Sequence, residues 1–251
     1  MSSNYRWSSE SGGWQPAQPS PGAVAVADSW LIEEGSTTGP DLHRDRFLSS
    51  AAELGNVAEL ELAWDALNPL LPQDGRWFPR VDLLASGQLT LALRSAPPRE
   101  SSVVAWLMEE PDPRLLPQRK GPELELLDGL RAQAREHGAG EAVLSDRDGY
   151  LLEGAYSSLL WWQGERLCAV PDDAPVLPGI TRRLLLKIAA EDGVEVDFFL
   201  PRPADLAGRE VWLVGSLHGI RAVSGWVPEG LAAGDAVRAA TWQRRLNQLQ
   251  G

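Results

Sequence analysis

The stretch VLPGITRRLLLKIAAEDG, residues 176–193, decides how this chain is read. A Pro-Gly turn delivers Ile180 and Thr181 to the start of a basic amphipathic run. The first turn of a helix has unpaired N–H groups and a partial positive charge, so it is a natural seat for an anion. Two readings follow. In one, Thr181 is an ordinary cap that accepts from first-turn amides. In the other, the glycine and the hydroxyl receive a phosphate. The surroundings of the stretch have to choose.

Working outward, the second half of the chain is regular. Residues 123–137 repeat leucines at helical spacing and stop at Gly138. EAVLSDRDGYLLEG is a hairpin turning at Asp148-Gly149, and AYSSLLWWQGERLCAV is another, turning at Gln163-Gly164. After the helix that opens at Thr181 come a strand VEVDFFL, a short helix over 203–207, and a strand REVWLVGS. Residues 1–22 are rich in Ser, Gly and Pro and are expected to be loosely ordered, apart from a short strand near Tyr5–Trp7. Residues 23–112 then read as a small α/β domain. It has a strand AVAVADSWLI, a helix from residue 41 capped by Asp41, a second helix capped by Asn56, and three strands. The Pro-rich, charged segment 109–122 marks the boundary, with residues 113–122 as linker and 123–251 as the larger domain. Strands and helices on both sides make the fold class α/β or α+β.

Composition narrows the function. A formal charge of −12 and a pI near 4.7 exclude a general nucleic-acid binder and an anionic membrane as partner. His43, His137 and His218 lack ligand spacing, so no metal site is expected. Cys168 is the single cysteine and forms no internal disulfide. No secretory pattern is visible, and a soluble cytoplasmic protein is the simplest expectation. The 11 tryptophans are assigned to core and interface packing.

Three features of the second half converge: Glu153 at a strand end before Gly154, Gly179-Ile180-Thr181 at a helix start, and Ser216-Leu217 after an apolar strand. Their order, E-G-x-x-S-x-L, then L-P-G-I-T-R, then G-S-x-x-x-I-x-x-V, resembles the class IV aminotransferases, the fold-type-IV pyridoxal-phosphate enzymes. The resemblance covers roughly residues 23–235. It implies a small N-terminal domain and a larger barrel-like C-terminal domain with the active site between them, a homodimer, pyridoxal 5′-phosphate as cofactor, and a small-molecule amine as substrate.

The resemblance also distributes roles. The family attaches its cofactor to a lysine upstream of the glutamate. Of the two lysines, Lys187 lies downstream in a helix, and Lys120 stands in the family's position, so Lys120 is the expected catalytic residue. Glu153 is then the carboxylate at the pyridine nitrogen. Ser158 stands where the family has Asn. The phosphate falls to Gly179, Ile180, Thr181, Ser216 and Leu217, with Arg46 from an H-x-x-R-F block, His43 to Phe47. Arg119 is a sequence neighbour able to lower the pKa of Lys120.

The reaction stays open among three readings. Ser29 falls where the family's lyases carry a threonine, and Ala27 falls where its aminotransferases carry an aromatic. Both lean toward 4-amino-4-deoxychorismate lyase, which releases pyruvate and 4-aminobenzoate. The alternative is an aminotransferase for branched-chain or D-amino acids, with Arg94 as a site for the α-carboxylate. The third is a cofactor-free relative with a binding role. Departures from the family pattern keep it open: Ser158 for Asn, Leu160 for Phe, Ser216 for Thr, Glu125 where branched-chain enzymes have a tyrosine, and no N-terminal D-R-G block.

Overall fold

The computed structural model describes residues 3–249. The chain divides into two units. The first comprises Met1–Pro98, Arg119–Leu124 and Leu249–Gly251; the second comprises Arg99–Gln118 and Glu125–Gln248.

The first unit contains strands β1 (Ser3–Ser8), β2 (Gly13–Pro16), β3 (Val24–Ser29), β4 (Ile32–Glu33) and β5 (Ser36–Thr37), then helices α1 (Pro40–Ala51) and α2 (Val57–Asp65). Strands β6 (Arg76–Trp77), β7 (Arg80–Leu84) and β8 (Leu89–Leu93) follow. The main sheet has the order β2-β1-β8-β7-β3, and each neighbouring pair is antiparallel. Alternation sorts its faces. Val26, Val81, Leu83, Leu89, Leu91 and Leu93 enter a core with Phe47, Leu60 and Leu67 of the helical segment. Ala27, Ser29, Arg80, Asp82, Thr90 and Ala92 share the opposite face by register.

The N-terminal segment departs from expectation. Residues 3–16 are a hairpin paired to β8, not a loose lead. Trp7 and Trp14 explain the order. Their rings meet edge to face at 5.7 Å, and their indole N–H groups donate to Glu59 Oε1 and the Ala63 carbonyl of α2 at 3.1 and 2.8 Å. Composition described the serines and glycines between those anchors. Asp41 is not the cap of α1. Gly39, in left-handed conformation at φ 64°, takes that position with Pro40 next, and no side chain caps the helix. Asn56 does cap α2, accepting from the Ala58 N–H at 3.1 Å.

The second unit contains β9 (Ser102–Leu107), α3 (Leu124–Glu136), β10 (Glu141–Ser145), β11 (Leu151–Gly154), β12 (Ser157–Gln163) and β13 (Arg166–Ala169). Then come α4 (Ile180–Glu191), β14 (Val196–Phe198), β15 (Val211–Gly215), β16 (Gly219–Val227) and α5 (Ala239–Asn247). The strand order β11-β10-β9-β16-β15-β12 closes on itself because β11 also pairs with β12, which makes a six-stranded barrel. Strands β13 and β14 extend the sheet beyond β12. A closed barrel leaves no free sheet edge. Strand β9, assigned by sequence to the N-terminal domain, is a barrel strand between β10 and β16. Both its pairings are parallel and join segments far apart in the chain, which local pattern cannot register. Strand β16 and helix α5 are additions to the sequence reading.

Candidate functional site

Lys120 is held by the first unit. The Ala27 N–H at the outer edge of β3 donates to the Lys120 carbonyl at 2.7 Å. Gly121 follows at φ 138°, and a Cβ there would stand 2.7 Å from Val26 Cα and 2.9 Å from Ala27 N. The segment therefore lies directly on the β3 backbone, and only glycine permits it. Burial, then the nearby charge of Arg46, lowers the Lys120 amine to about 8; Asp28 opposes the shift, and Arg80 and Arg94 add to it. These arginines supply the cationic surroundings expected of Arg119.

Arg46 sits on α1 and is already paired. Its Nε donates to Asp28 Oδ2 and its Nη2 to Asp28 Oδ1, both at 2.8 Å. His43, three residues earlier and so on the same helix face, brings Nδ1 to Asp28 Oδ1 at 2.7 Å. The Ser29 N–H donates to the same oxygen at 2.7 Å. Burial alone would raise the Asp28 carboxyl, but Arg46 and His43 outweigh it and hold it well below the usual carboxylate range. Burial pushes His43 below its ordinary value, against the pull of Asp28. Asp28 was absent from the sequence reading. Its signal was present: a carboxylate inside the apolar run AVAVADSW, where an unpaired charge is costly. Ser29 and Arg94 belong to the same unit. The Arg94 Nε donates to the Phe78 carbonyl at 3.1 Å, and its guanidinium lies 5.4 Å from the centre of the Phe78 ring.

The second unit gathers the other expected residues. Glu153 is 3% exposed and pairs with Ser158 across the β11–β12 ladder. Ser158 in turn faces Val214, two residues before Ser216. A Cβ on Gly179 would stand 2.2 Å from Ser158 Oγ, so glycine alone lets that hydroxyl reach the start of α4. Ile180 and Thr181 are buried in the first turn. Thr181 is not a cap: Gly179 has the cap position and no side chain caps the helix. Ser216 and Leu217, with His218, form the tight turn between β15 and β16, closed by the Gly215–Gly219 pair.

Glu153 is oriented by two donors, both on Oε1: the Leu177 N–H at 2.9 Å and Arg114 Nη2 at 2.9 Å. Arg114 is itself held by Asp112, through Nε at 3.0 Å and Nη2 at 2.8 Å. Burial raises the Glu153 carboxyl to about 7, and Arg114 and the Leu177 amide offset only part of that. Asp112 and Arg114 were read as linker charges in EEPDPR. Their chelation depends on a fold around them that composition does not contain.

Among the described residues no group of His, Cys, Asp and Glu could hold a metal ion. No described helix is long and apolar enough to cross a membrane.

Comparison with known proteins adds four findings. Residues 25–226 match the model of a family described as amino-transferase class IV. The branched-chain-amino-acid aminotransferase of Escherichia coli (strain K12) is 32% identical over 118 residues, 47% of this chain and 37% of that protein. The bifunctional aminodeoxychorismate lyase / D-amino acid transaminase of Mycobacterium tuberculosis (strain ATCC 25618 / H37Rv) is 34% identical over 96 residues, 35% of this chain and 33% of that protein. The match thus spans about a third of the length of these relatives. Among solved structures, a hypothetical aminotransferase from Mycobacterium tuberculosis in its PLP-bound form has a TM-score of 0.81 at 19% identity, covering 99% of this chain and 98% of that one. This last likeness is one of fold.

Proposed function

The chain belongs to the amino-transferase class IV family, and from that premise we propose that it is a pyridoxal-phosphate-dependent enzyme acting on a small amine, with 4-amino-4-deoxychorismate lyase as the leading reading. The observation that carries the proposal is the pair of tuned groups, a lysine amine brought to about 8 and a glutamate carboxyl brought to about 7. Perturbed groups of complementary chemistry mark functional sites.

The residues fit the cofactor. Glu153 is a buried carboxylate oriented at Oε1 by Arg114 and Leu177. The first turn of α4 carries no side-chain cap, so its amides suit a phosphate. When bound, the cofactor supplies an electron sink for a carbanion next to the substrate nitrogen. Lys120, with its lowered pKa, holds a useful fraction of neutral amine near pH 7; it would hold the cofactor and would take and return the substrate proton. Glu153 would face the pyridine nitrogen, where a cation would favour its charged form. Gly179, Ile180, Thr181, Ser158, Ser216 and Leu217 would hold the phosphate. Arg46 would contribute charge to that group while Asp28 fixes its direction.

Ser29 and the small Ala27 support the lyase, because both lie on the polar face of β3 in register with Arg80 and Asp82. The likeness to the Escherichia coli enzyme supports amino-group transfer as the second reading, with Arg94 near the α-carboxylate. A homodimer belongs to either reading.

Purified protein incubated with pyridoxal 5′-phosphate is expected to gain a visible absorption band that Lys120→Ala abolishes. A protein that stays colourless would sink both enzyme readings. Pyruvate release from 4-amino-4-deoxychorismate without amino-acid turnover selects the lyase; cofactor bleaching by amino acids, restored by 2-oxoglutarate, selects the transferase.

A further inference from the structure

The turn that presents Ser216 and Leu217 is gripped by a side chain that none of the roles above uses. Gln243, on α5, accepts the Ile220 N–H on its Oε1 at 2.7 Å. Ile220 follows directly on the turn's closing pair, Gly215 and Gly219. The β9 ladder does not reach that amide, because it begins at Ala222, opposite Ser102. Gln243 thus supplies one more rung where the neighbouring strand has not yet begun. Gly219 makes the approach possible. Its φ is 73°, and a Cβ there would stand 2.2 Å from Gln243 Oε1 and 2.8 Å from Cδ. The side-chain amide therefore lies directly against the backbone at the foot of the turn.

Gln243 is fixed at its other end as well. Its Nε2 donates to Asn247 Oδ1 at 2.7 Å, one helical turn further on, and Arg99 Nη1 donates to the same oxygen at 3.3 Å. Helix α5 is anchored on both sides of this residue. Trp242 joins the rings of Trp162 and Trp212, and the Glu210 carboxylate accepts the Arg238 and Ala239 N–H groups at 2.9 Å where the helix starts. Arg245 Nη2 donates to Asp192 Oδ1 at 2.6 Å, at the last residue of the α4 end. The turn has a second tether, in which the Glu100 N–H donates to His218 Nδ1 at 3.1 Å. Helix α5 is thus a bracket joined both to the β15–β16 turn and to α4, the two elements assigned above to the phosphate.

A phosphate held by a short turn needs donors whose directions are already set, because a hydrogen bond weakens steeply with angle and ordering a loose loop costs affinity. We propose that Gln243 is a positioning residue for the cofactor's phosphate: by holding Ile220 and Gly219 from α5, it fixes the Ser216–Leu217 turn in its phosphate-receiving form. The proposal deepens the enzyme reading and rests on it for the presence of the phosphate. It separates the phosphate from the rest of the cofactor, since Gln243 acts on the turn alone.

Two aldehydes that differ only in the phosphate test it. Pyridoxal 5′-phosphate and pyridoxal are titrated into the full-length protein, and the ratio of their affinities is followed through the visible band. In Gln243→Met, which keeps the length and loses the acceptor, that ratio should fall at least about fivefold, the factor one hydrogen bond supplies, with pyridoxal binding little changed. Hydrogen exchange read by NMR gives a measurement without cofactor. The Ile220 amide should exchange slowly in the native protein and fast in Gln243→Met, and Gln243→Glu, which keeps an acceptor oxygen, should restore its protection. An unchanged ratio, or an equal loss of both aldehydes, would reveal a merely structural glutamine and overturn the inference. Fast exchange of Ile220 in the native protein overturns it too, even if Gln243→Met fails to fold. A native protein that forms no Lys120-dependent band defeats the enzyme reading and the phosphate role with it, whereas an unchanged ratio in a protein that forms the band defeats the role of Gln243 alone.

Discussion

Lys120 and Asp28 show how single residues acquire their properties here. An ordinary lysine, near 10.5, is almost fully charged at neutral pH; this one is brought to about 8 by burial and by Arg46, Arg80 and Arg94, with Asp28 resisting. Only the neutral amine attacks an aldehyde. The rate at which the visible band forms with pyridoxal 5′-phosphate should therefore climb about tenfold per pH unit below 8 and level off above it. Stopped-flow mixing across pH 6 to 10 would read this directly, and a rate still climbing steeply at pH 10 would show an untuned lysine. Lys120, Glu153 and the Thr181 start were legible as residues because each lies in a short recognisable block. Asp28 and Arg114 were not, because their meaning comes from partners 18 and 39 positions away respectively.

At the scale of elements, two glycines position the chemistry, and neither does so by turning the chain. Gly121 lets the Lys120 segment rest on β3, and Gly179 admits Ser158 Oγ to the mouth of α4. Gly121→Ala combines a left-handed φ with a Cβ driven into backbone atoms that cannot rotate away. It should cost about 1–3 kcal/mol of stability or more and displace Lys120. Chemical denaturation would measure the first effect and loss of the visible band the second; full stability with a normal band would refute the close-packing account. Helix and strand positions were readable from periodicity, including the two hairpins of the second unit. Caps were less so. Asp41 and Thr181 have the right chemistry for a cap, but glycines two positions earlier set the backbone that decides where each helix begins.

At the scale of the whole molecule, each unit has its own aromatic anchor. Trp30, Trp64 and Phe47 pack in the first, with Trp64 5.2 Å from each of the other two. In the second, Trp162, Trp212 and Trp242 form a mutual cluster with centroids 5.3 to 5.7 Å apart. Trp242 belongs to α5, so this cluster fastens the last helix to the barrel wall. Trp242→Ala should cost about 3–5 kcal/mol and detach α5, seen as an earlier urea transition and loss of near-ultraviolet dichroism. An unchanged midpoint would mean that α5 contributes little to the barrel.

The sequence by itself determined the α/β class, most element positions and the family blocks, and it singled out Lys120 and Glu153 as candidates. Those are local properties, encoded in spacing and in turn residues a few positions apart. Tertiary structure alone decided that β9 is a barrel strand, that the N-terminal hairpin is ordered through Trp7 and Trp14, and that Asp28 holds Arg46. Each depends on residues distant in the chain meeting where water is excluded. There a pKa or a parallel strand pairing is set by neighbours that no local pattern records.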